Sequence, residues 1–342
     1  MKQKNSMKRE HSKPVCYAER ENVRTKCKLC ILLLIATGLA ACSNDDEVAP
    51  VQERPITVTV SEKPFTTPTS NAAAVRSTRA AITTTESFSV FTIDYVYGST
   101  PSKGFRTATK TAGTWTVDGP WPNPEKEVNW YAHSDGEFPR KDYEGIPYIS
   151  FTVDENAAQQ KDLLVATLAK SYSECGGHLN FTFDHACTAL RFYIKKATNM
   201  DDYMLTVTDV KICNIVSQGE YYFATATWNL DSTRSQYTLY SGSGLELDST
   251  NYTALGQTDA PYLFLIPQSL TAWDATTSIA SVTAQSYLRI ACTISKNGSN
   301  VFNDTAYIPF AATLAKGTQY DVKINIGKNS LYNSSGNKII TK

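Results

Sequence analysis

Two arginines, Arg76 and Arg79, stand in a run of small residues that reads NAAAVRSTRAAITT, residues 71–84. An arginine on an accessible, flexible segment is a substrate for a protease of trypsin-like specificity, which hydrolyses the peptide bond that follows it. We predict cleavage after Arg79 rather than Arg76, because a compact chain then begins at Ala80. The alternative is that both arginines are solvated residues of a permanent tether.

Cys42 ends the sequence LAAC and follows a short apolar run, CILLLIATGLAA, that Lys26 and Lys28 introduce. A basic start, a short apolar run and small residues before the cut are typical of a secretory signal peptide, and the run is too short to span a bilayer as a helix. LAAC resembles the lipobox of bacterial lipoproteins, which implies removal of residues 1–41 and acylation of the Cys42 thiol. The alternative is an ordinary signal peptide with a chance cysteine.

The acidic stretch SNDDE follows Cys42 directly. It resembles the surface-export signal of Bacteroidota lipoproteins, so we expect a protein at the outer face of the outer membrane; the alternative is a flexible tether that faces the periplasm. Residues 1–41 hold nine of the 33 basic and three of the 33 acidic residues, which leaves 24 basic and 30 acidic residues. This acidic remainder is not expected to bind nucleic acid, which requires a clustered basic face.

The rest of the chain offers little catalytic chemistry. The histidines of the body, His133, His178 and His185, have no matching nucleophile or metal-ligand pattern, and the sequence contains no GxSxG, HExxH or glycine-rich phosphate loop. Asp201 and Asp202 are expected to form a solvated turn rather than a cation site. We therefore expect no enzyme activity, no cofactor and no metal.

Four cysteines remain in the body, and none has the CxxC spacing of a metal site. Cys187, Cys213 and Cys292 each lie within a segment of alternating apolar residues, so we expect them to be small buried hydrophobes. The sequence leaves open whether any two form a disulfide. The four are Cys175, Cys187, Cys213 and Cys292.

Two further features could concern sugars. Three triplets resemble the acceptor for O-glycosylation of exported Bacteroidota proteins, although Thr- and Ser-rich turns also contain such triplets by chance; the acceptor residues would be Ser232, Ser249 and Thr305. Tryptophans either stack on a glycan or, more commonly, anchor a core or an interface. The five tryptophans are Trp115, Trp121, Trp130, Trp228 and Trp273.

The elements that position these residues are predicted to be strands. Nineteen tyrosines and thirteen phenylalanines, with many threonines, favour strands. ITVTV places Ile56, Val58 and Val60 on one face, which is the period of a half-buried strand. Residues 62–75 read as a linker and residues 98–104 as a turn, whereas residues 155–170 read as a turn followed by a strand. Short strands with turn signals between them favour antiparallel sandwiches over βαβ units.

Seven segments stand in this order along nearly the whole chain: LAAC, RSTRAAITT, WYAHSD, KDLLVA, LNFTFDHACTALRFYI, YLFLIPQ and LAKGTQYDVKINI. In this order they resemble the fimbrillin-like proteins of Bacteroidota, which are subunits of type V pili. The resemblance implies an all-β fold of two tandem transthyretin-like antiparallel β-sandwich domains. We place these at residues 80–175 and 176–342, behind the signal peptide (1–41) and a lipidated tether with a removable first strand (42–79).

The resemblance also implies assembly of polymerising members after an arginine-specific protease removes an N-terminal segment. A sandwich that loses its first strand exposes an apolar groove and unpaired backbone groups. A strand of a neighbouring subunit can fill both by β-augmentation. Ile56, Val58 and Val60 are then the plug before cleavage. The donor strand stays open between residues 319–326, which serve equally well as an internal strand, and the short tail at 337–341.

We therefore expect a structural or adhesive fimbrial subunit. Its partners would be other fimbrial subunits, an arginine-specific protease, and the outer membrane through lipid on Cys42. The alternative is a non-polymerising surface lipoprotein of the same fold that binds a glycan or a host ligand. The fate of residues 42–79 separates the two, because a stalk subunit must lose them, whereas a tip, an anchor or a monomeric binder can retain them.

Overall fold

The computed structural model describes residues 55–68, 86–94, 102–136, 147–256 and 262–340, all within one compact unit that spans 52–342. Strands dominate these ranges, which confirms the all-β prediction. The only α-helix there is a single turn, α1 (Tyr172–Cys175), and Thr198–Met200 and Ile279–Ser281 are 3-10 turns. Among the described residues, no helix has the length and apolar composition needed to cross a membrane.

Seven strands, numbered here with all others in chain order, close into a barrel. Around the barrel, the first strand is followed by the fourth, third, second, fifth, seventh and eighth. Closure leaves no sheet edge, so every strand has two neighbours. The seven are β1 (Ile56–Glu62), β2 (Ser87–Asp94), β3 (Ser102–Thr111), β4 (Thr114–Val117), β5 (Glu127–His133), β7 (Leu164–Ser171) and β8 (His178–His185).

Alternate residues of these strands point into the barrel and form its core, as the period of two requires. In β8, Leu179, Phe181 and Phe183 are buried, and the residues between them face outward. Phe88 of β2 packs edge-on against Phe183 and is tilted against Trp115, with ring centroids 5.2 and 5.0 Å apart. The barrel therefore has an aromatic core of its own.

A second core lies between the remaining sheets. The strands of these sheets are β6 (Tyr148–Thr152), β9 (Thr188–Lys196), β10 (Tyr203–Val216), β11 (Gln218–Tyr222), β12 (Thr227–Leu230), β13 (Arg234–Glu246), β14 (Thr253–Leu255), β15 (Leu263–Leu265), β16 (Ser269–Leu270), β17 (Tyr287–Lys296), β18 (Ser299–Pro309), β19 (Ala312–Thr313) and β20 (Gln319–Ile326). One sheet has the order β13-β10-β17-β18, and a second has the order β12-β11-β6. In a third sheet β9 pairs with β14, β15 and β20, and β16 pairs with β19 in a fourth.

Most strand pairs are antiparallel, as predicted, but β1 pairs with β8 and β20 pairs with β9 in parallel. Partners in both parallel pairs lie more than a hundred residues apart in the chain, so no short crossover constrains their direction. The predicted turn at 98–104 overlaps β3, which already begins at Ser102. The segment 155–170 is a turn followed by β7, as predicted.

The boundary between residues 175 and 176 stays a prediction, and strand pairing crosses it in two places. β8 follows the boundary but pairs with β1 and β7 in the barrel, whereas β6 precedes it and pairs with β11. Ile149, Phe151 and Val153 accordingly pack into the second core. Among the described residues, none after β8 belongs to the barrel core, and the residues of the second core resume at Ala186.

Candidate site: the first strand and the groove it fills

β1 contributes the predicted plug to the barrel. Ile56 is fully buried and Val58 is 6% exposed, while Val60 is half-buried at the barrel core. Val58 lies beside Trp115 of β4 on one side and Leu179 of β8 on the other. The alternation read from ITVTV therefore describes the strand correctly, and its aliphatic face fills a groove between β4 and β8.

Backbone bonds hold β1 on both edges. Residues 56–58 pair with β4, and residues 57–62 pair with β8. Just before β8, Gly176 and Gly177 both have positive φ, at 59° and 84°, a conformation that glycine adopts without steric cost. The turn they make leaves the carbonyl of Gly177 3.0 Å from the Thr57 amide, which donates to it. Without β1, both β4 and β8 would have an unpaired edge.

His178, at the start of β8, adds a side-chain contact to the same strand. Its Nδ1 lies 2.8 Å from the Thr57 hydroxyl and its Nε2 lies 2.9 Å from the Thr59 hydroxyl. One nitrogen of a neutral imidazole donates and the other accepts, and a hydroxyl can do either. His178 thus binds β1 through two hydrogen bonds, and no catalytic partner faces it in these contacts.

The chain that follows β1 was predicted to be a linker, and its first residues are instead packed. Phe65 is 1% exposed and lies in the second core, with its ring centroid 6.2 Å from that of Phe264. The Thr66 amide donates to the Gly317 carbonyl at 2.9 Å. Burial of an aromatic ring outweighs the local preference of a Pro- and Thr-rich segment for open structure. Residues 55–66 therefore contact both cores.

Phe65 and Glu62 meet a buried ionisable pair that sequence reasoning missed. The Phe65 ring stacks on the His185 imidazole, with centroids 3.6 Å apart and planes inclined by 17°. His185 Nδ1 is hydrogen-bonded to the Asp162 carboxylate, and both side chains are 1% exposed. His185 Nε2 lies 3.5 Å from the Glu62 carboxylate. An aromatic residue inside a Pro- and Thr-rich run is the one local signal that could have revealed this cluster.

Both pKa values of the buried pair are raised. Burial raises the pKa of the Asp162 carboxyl, which His185 lowers in part. Burial lowers the pKa of His185, but the bond to Asp162, the charges of Asp162 and Glu62 and the Lys63 backbone together raise it above its usual value. Each of the two groups therefore keeps its proton to a higher pH in the folded chain than in the unfolded chain.

The third histidine of the body, His133, is buried at the end of β5, where burial lowers its pKa to about 4 against weaker opposing effects of Asp135. Because the folded-state pKa is below the unfolded value, the stability that neutral His133 contributes is fully present above pH 6.5. This contribution is lost as the pH falls towards 4. We expect the loss to be about 3 kcal/mol.

The measurement is chemical denaturation of the wild type and the His133→Gln variant between pH 4 and 7. The unfolding free energy of the wild type minus that of the variant should fall by about 3 kcal/mol between pH 7 and pH 4. Only the wild type has the imidazole, whose burial in the folded chain opposes protonation. A difference that is constant with pH would contradict the assignment.

The predicted lipidation and processing residues lie outside the described residues. They are Cys42, Arg76, Arg79 and Ala80. The predicted glycosylation sites differ in exposure. Ser232 is exposed in the turn between β12 and β13, whereas Ser249 is half-buried in the loop after β13 and Thr305 is half-buried within β18.

The tryptophans do not form a surface platform. Trp115, Trp121, Trp130 and Trp273 are all at most 6% exposed, and half-buried Trp228 donates its Nε1–H to the Ala186 carbonyl at 2.8 Å. Sugar stacking requires an exposed ring face, so the structure gives these residues the core and anchoring role.

The cysteines of the body carry free thiols, which answers the question of their pairing. Three of them are buried, as expected, and Cys175 is half-buried. Asp201 and Asp202 lie in an exposed turn before β10. Among the described residues, no group of three or more His, Cys, Asp or Glu side chains is arranged to hold a metal ion.

Both candidate donor strands pack into their own chain. β20 lies in parallel beside β9, and its Ile324 and Ile326 are buried in the second core. In the tail, Ile340 is 6% exposed and packs into the same core, and residue 341 is not described. Serving as a donor would require either segment to leave this packing.

Comparison with known proteins places this architecture in a family. None of the curated proteins compared with the chain matches it. A fimbrial protein from Bacteroides vulgatus has 18% identity and a TM-score of 0.54, over 80% of this chain and 95% of that chain. A candidate cell adhesion protein from Parabacteroides distasonis has 9% identity and a TM-score of 0.51, over 83% and 91% of the two chains. At these identities the likeness establishes the shared fold.

The sequence model described as fimbrillin-like matches residues 75–340, which is most of the chain. The match begins near the paired arginines and runs through β20 to the packed tail. The chain therefore belongs to the fimbrillin-like family.

Proposed function

We propose that the protein is a non-catalytic subunit of a cell-surface fimbria that assembles by strand exchange. The observation that supports this most directly is the position of β1. Its aliphatic face fills a groove whose two walls, β4 and β8, would become open edges if β1 left. An open apolar groove with unpaired backbone on both sides is a site for β-augmentation. A strand of another subunit is its natural occupant.

The proposed trigger is proteolysis after Arg79, with Arg76 as the second site. The described chain stops at residue 68 and resumes at residue 86, so the arginines fall between the packed segment and β2. A cut there separates β1 from the barrel strands covalently while the strand still occupies its groove. It also separates the barrel from any lipid on Cys42, which suits a stalk subunit.

Export would place the protein at the outer membrane before assembly. The sequence LAAC supports acylation of Cys42, and the acidic residues behind it support transport to the outer surface. Fimbrial and adhesion proteins among the structural neighbours agree with a surface location. Partners in this account are other fimbrial subunits, an arginine-specific protease and the outer membrane.

O-Glycosylation is a separate proposal for the same exported protein. Ser232 is the best-supported site because it is exposed in a turn. Ser249 and Thr305 are half-buried, and a glycosyltransferase acting on the folded chain would reach them less readily.

Strand exchange can be tested with the mature chain that begins at Cys42 or Ser43 and a fluorescent peptide of residues 55–68. We expect no peptide uptake by the intact chain, because its own β1 fills the groove. After an arginine-specific protease has cut at Arg79, the peptide should replace the retained fragment and co-elute with the barrel. Equal uptake by intact and cut protein, or no uptake by either, would contradict the proposal.

A further inference from the structure

The N-terminal segment, residues 55–68, contacts a second site beyond the barrel groove. Three residues beyond the end of β1, Phe65 enters the second core and stacks on His185. At the end of β1, the Glu62 side chain is 10% exposed and its carboxylate lies 3.5 Å from His185 Nε2. The segment is thus held at two places, an aliphatic groove in the barrel and an aromatic slot beside a buried imidazole.

If the segment left, the site around the His185 imidazole would lack two of its contacts. His185 would lose the ring that covers its face and one of the two carboxylates beside it, while Asp162, 1% exposed, would stay on the other side. Burying an ionisable group is costly unless it stays paired and shielded. An occupant that restores an aromatic ring and a carboxylate is therefore favoured over one that fills the barrel groove alone.

We infer that the strand that replaces β1 comes from another subunit and carries an acid and an aromatic residue at the positions of Glu62 and Phe65. Its pattern is three alternating aliphatic residues, a carboxylate two positions after the third, and an aromatic residue three positions after the carboxylate. The inference rests on the proposed strand exchange and states the chemistry of its partner. The spacing follows that of Ile56, Val58, Val60, Glu62 and Phe65.

The chain's own β20 does not meet this pattern, although its aliphatic spacing is the same. Val322, Ile324 and Ile326 alternate, but Lys328 then stands at the position of the acid and Leu331 at that of the aromatic residue. A lysine would place a positive charge beside His185 where β1 places the Glu62 carboxylate, and leucine offers no ring to stack. The donor is therefore a different strand from β20 of a second copy.

The test uses the chain cut at Arg79 and a set of fluorescent peptides of residues 55–68. Phe65→Ala removes the ring and Glu62→Lys reverses the charge, while neither changes the aliphatic face. Lys63→Ala is the matched control, because this side chain is 59% exposed and pairs with Asp184 on the surface. A peptide of residues 320–333 tests β20. Variants are made only in the peptides, so every measurement uses the same folded acceptor.

We expect the wild-type and Lys63→Ala peptides to bind alike. Phe65→Ala should bind at least about a hundredfold more weakly, since truncating a buried Phe typically has this effect. Glu62→Lys and the β20 peptide should each bind at least about tenfold more weakly. Binding of Phe65→Ala and Glu62→Lys within about threefold of wild type would overturn the inference and leave strand exchange intact. Failure of the wild-type peptide would instead overturn the strand exchange on which the inference rests.

Discussion

A chain in which Arg76 and Arg79 are both replaced by alanine is expected to keep residues 42–79 and to stay monomeric on the surface of the bacterium that makes it. Without a cut, β1 remains covalently joined to the barrel that it fills. A tethered strand competes with a separate one at an effective concentration that favours it by about 10²–10⁴-fold. High-molecular-weight material should therefore fall by a similar factor, as measured by size separation of surface protein under non-denaturing conditions.

The matched control replaces Ser77 and Thr78 by alanine, which changes the same stretch of chain and keeps both arginines. This variant should be processed and should assemble as the wild type does. Undiminished polymer from the arginine double variant would show that removal of β1 is not required for assembly. Loss of polymer in both variants would trace the effect to the linker rather than to cleavage.

The variant Asp162→Ala is expected to lose about 3–5 kcal/mol of unfolding free energy, because it leaves His185 buried without its hydrogen-bonded partner. Lys161→Ala is the matched control one residue away. Its side chain is 64% exposed and lies 3.5 Å from Asp135, a surface pair that contributes at most about 1 kcal/mol. Chemical denaturation of the three proteins at one pH gives the comparison. A loss below about 1 kcal/mol for Asp162→Ala would contradict the account of the pair.

The same variants differ in pH dependence. The folded-state pKa values of Asp162 and His185 are both raised, so the folded chain binds more protons than the unfolded chain as the pH rises through them. Wild-type stability should therefore fall as the pH rises above the unfolded values of the two groups. Asp162→Ala removes the partner that raises the pKa of His185, so this fall should flatten. The loss of stability that this pair causes as the pH rises is opposite in direction to the loss that His133 causes as the pH falls.

Sequence alternation predicts strands well where one face is buried and poorly where neither is. In β17, Leu288, Ile290, Cys292 and Ile294 are buried in turn, and the strand was evident from their spacing. Its neighbour β18 has a single buried side chain, that of Ala306, and its sequence has no alternation of apolar and polar residues that would predict a strand. Strands at such exposed positions are held by backbone pairing, which side-chain pattern does not encode.

The parallel direction of β1 and the packing of Phe65 on His185 could not be predicted, because both depend on residues far away in the chain. A period of two is the same in parallel and antiparallel strands, so the pairing of β1 with β8 could not be read from ITVTV. The plug residues Ile56 and Val58 were predicted because their pattern is local. Phe65 was assigned to a linker because the His185 ring on which it stacks lies about 120 residues further along the chain.

The most direct test of the account is the N-terminal sequence and intact mass of the protein taken from the surface of its own host. The account predicts a chain that begins at Ala80 and is found in high-molecular-weight material. A chain that begins at acylated Cys42 and is found only as a monomer would contradict it. β1 would then be a permanent strand of the barrel, and the two arginines would be part of a tether.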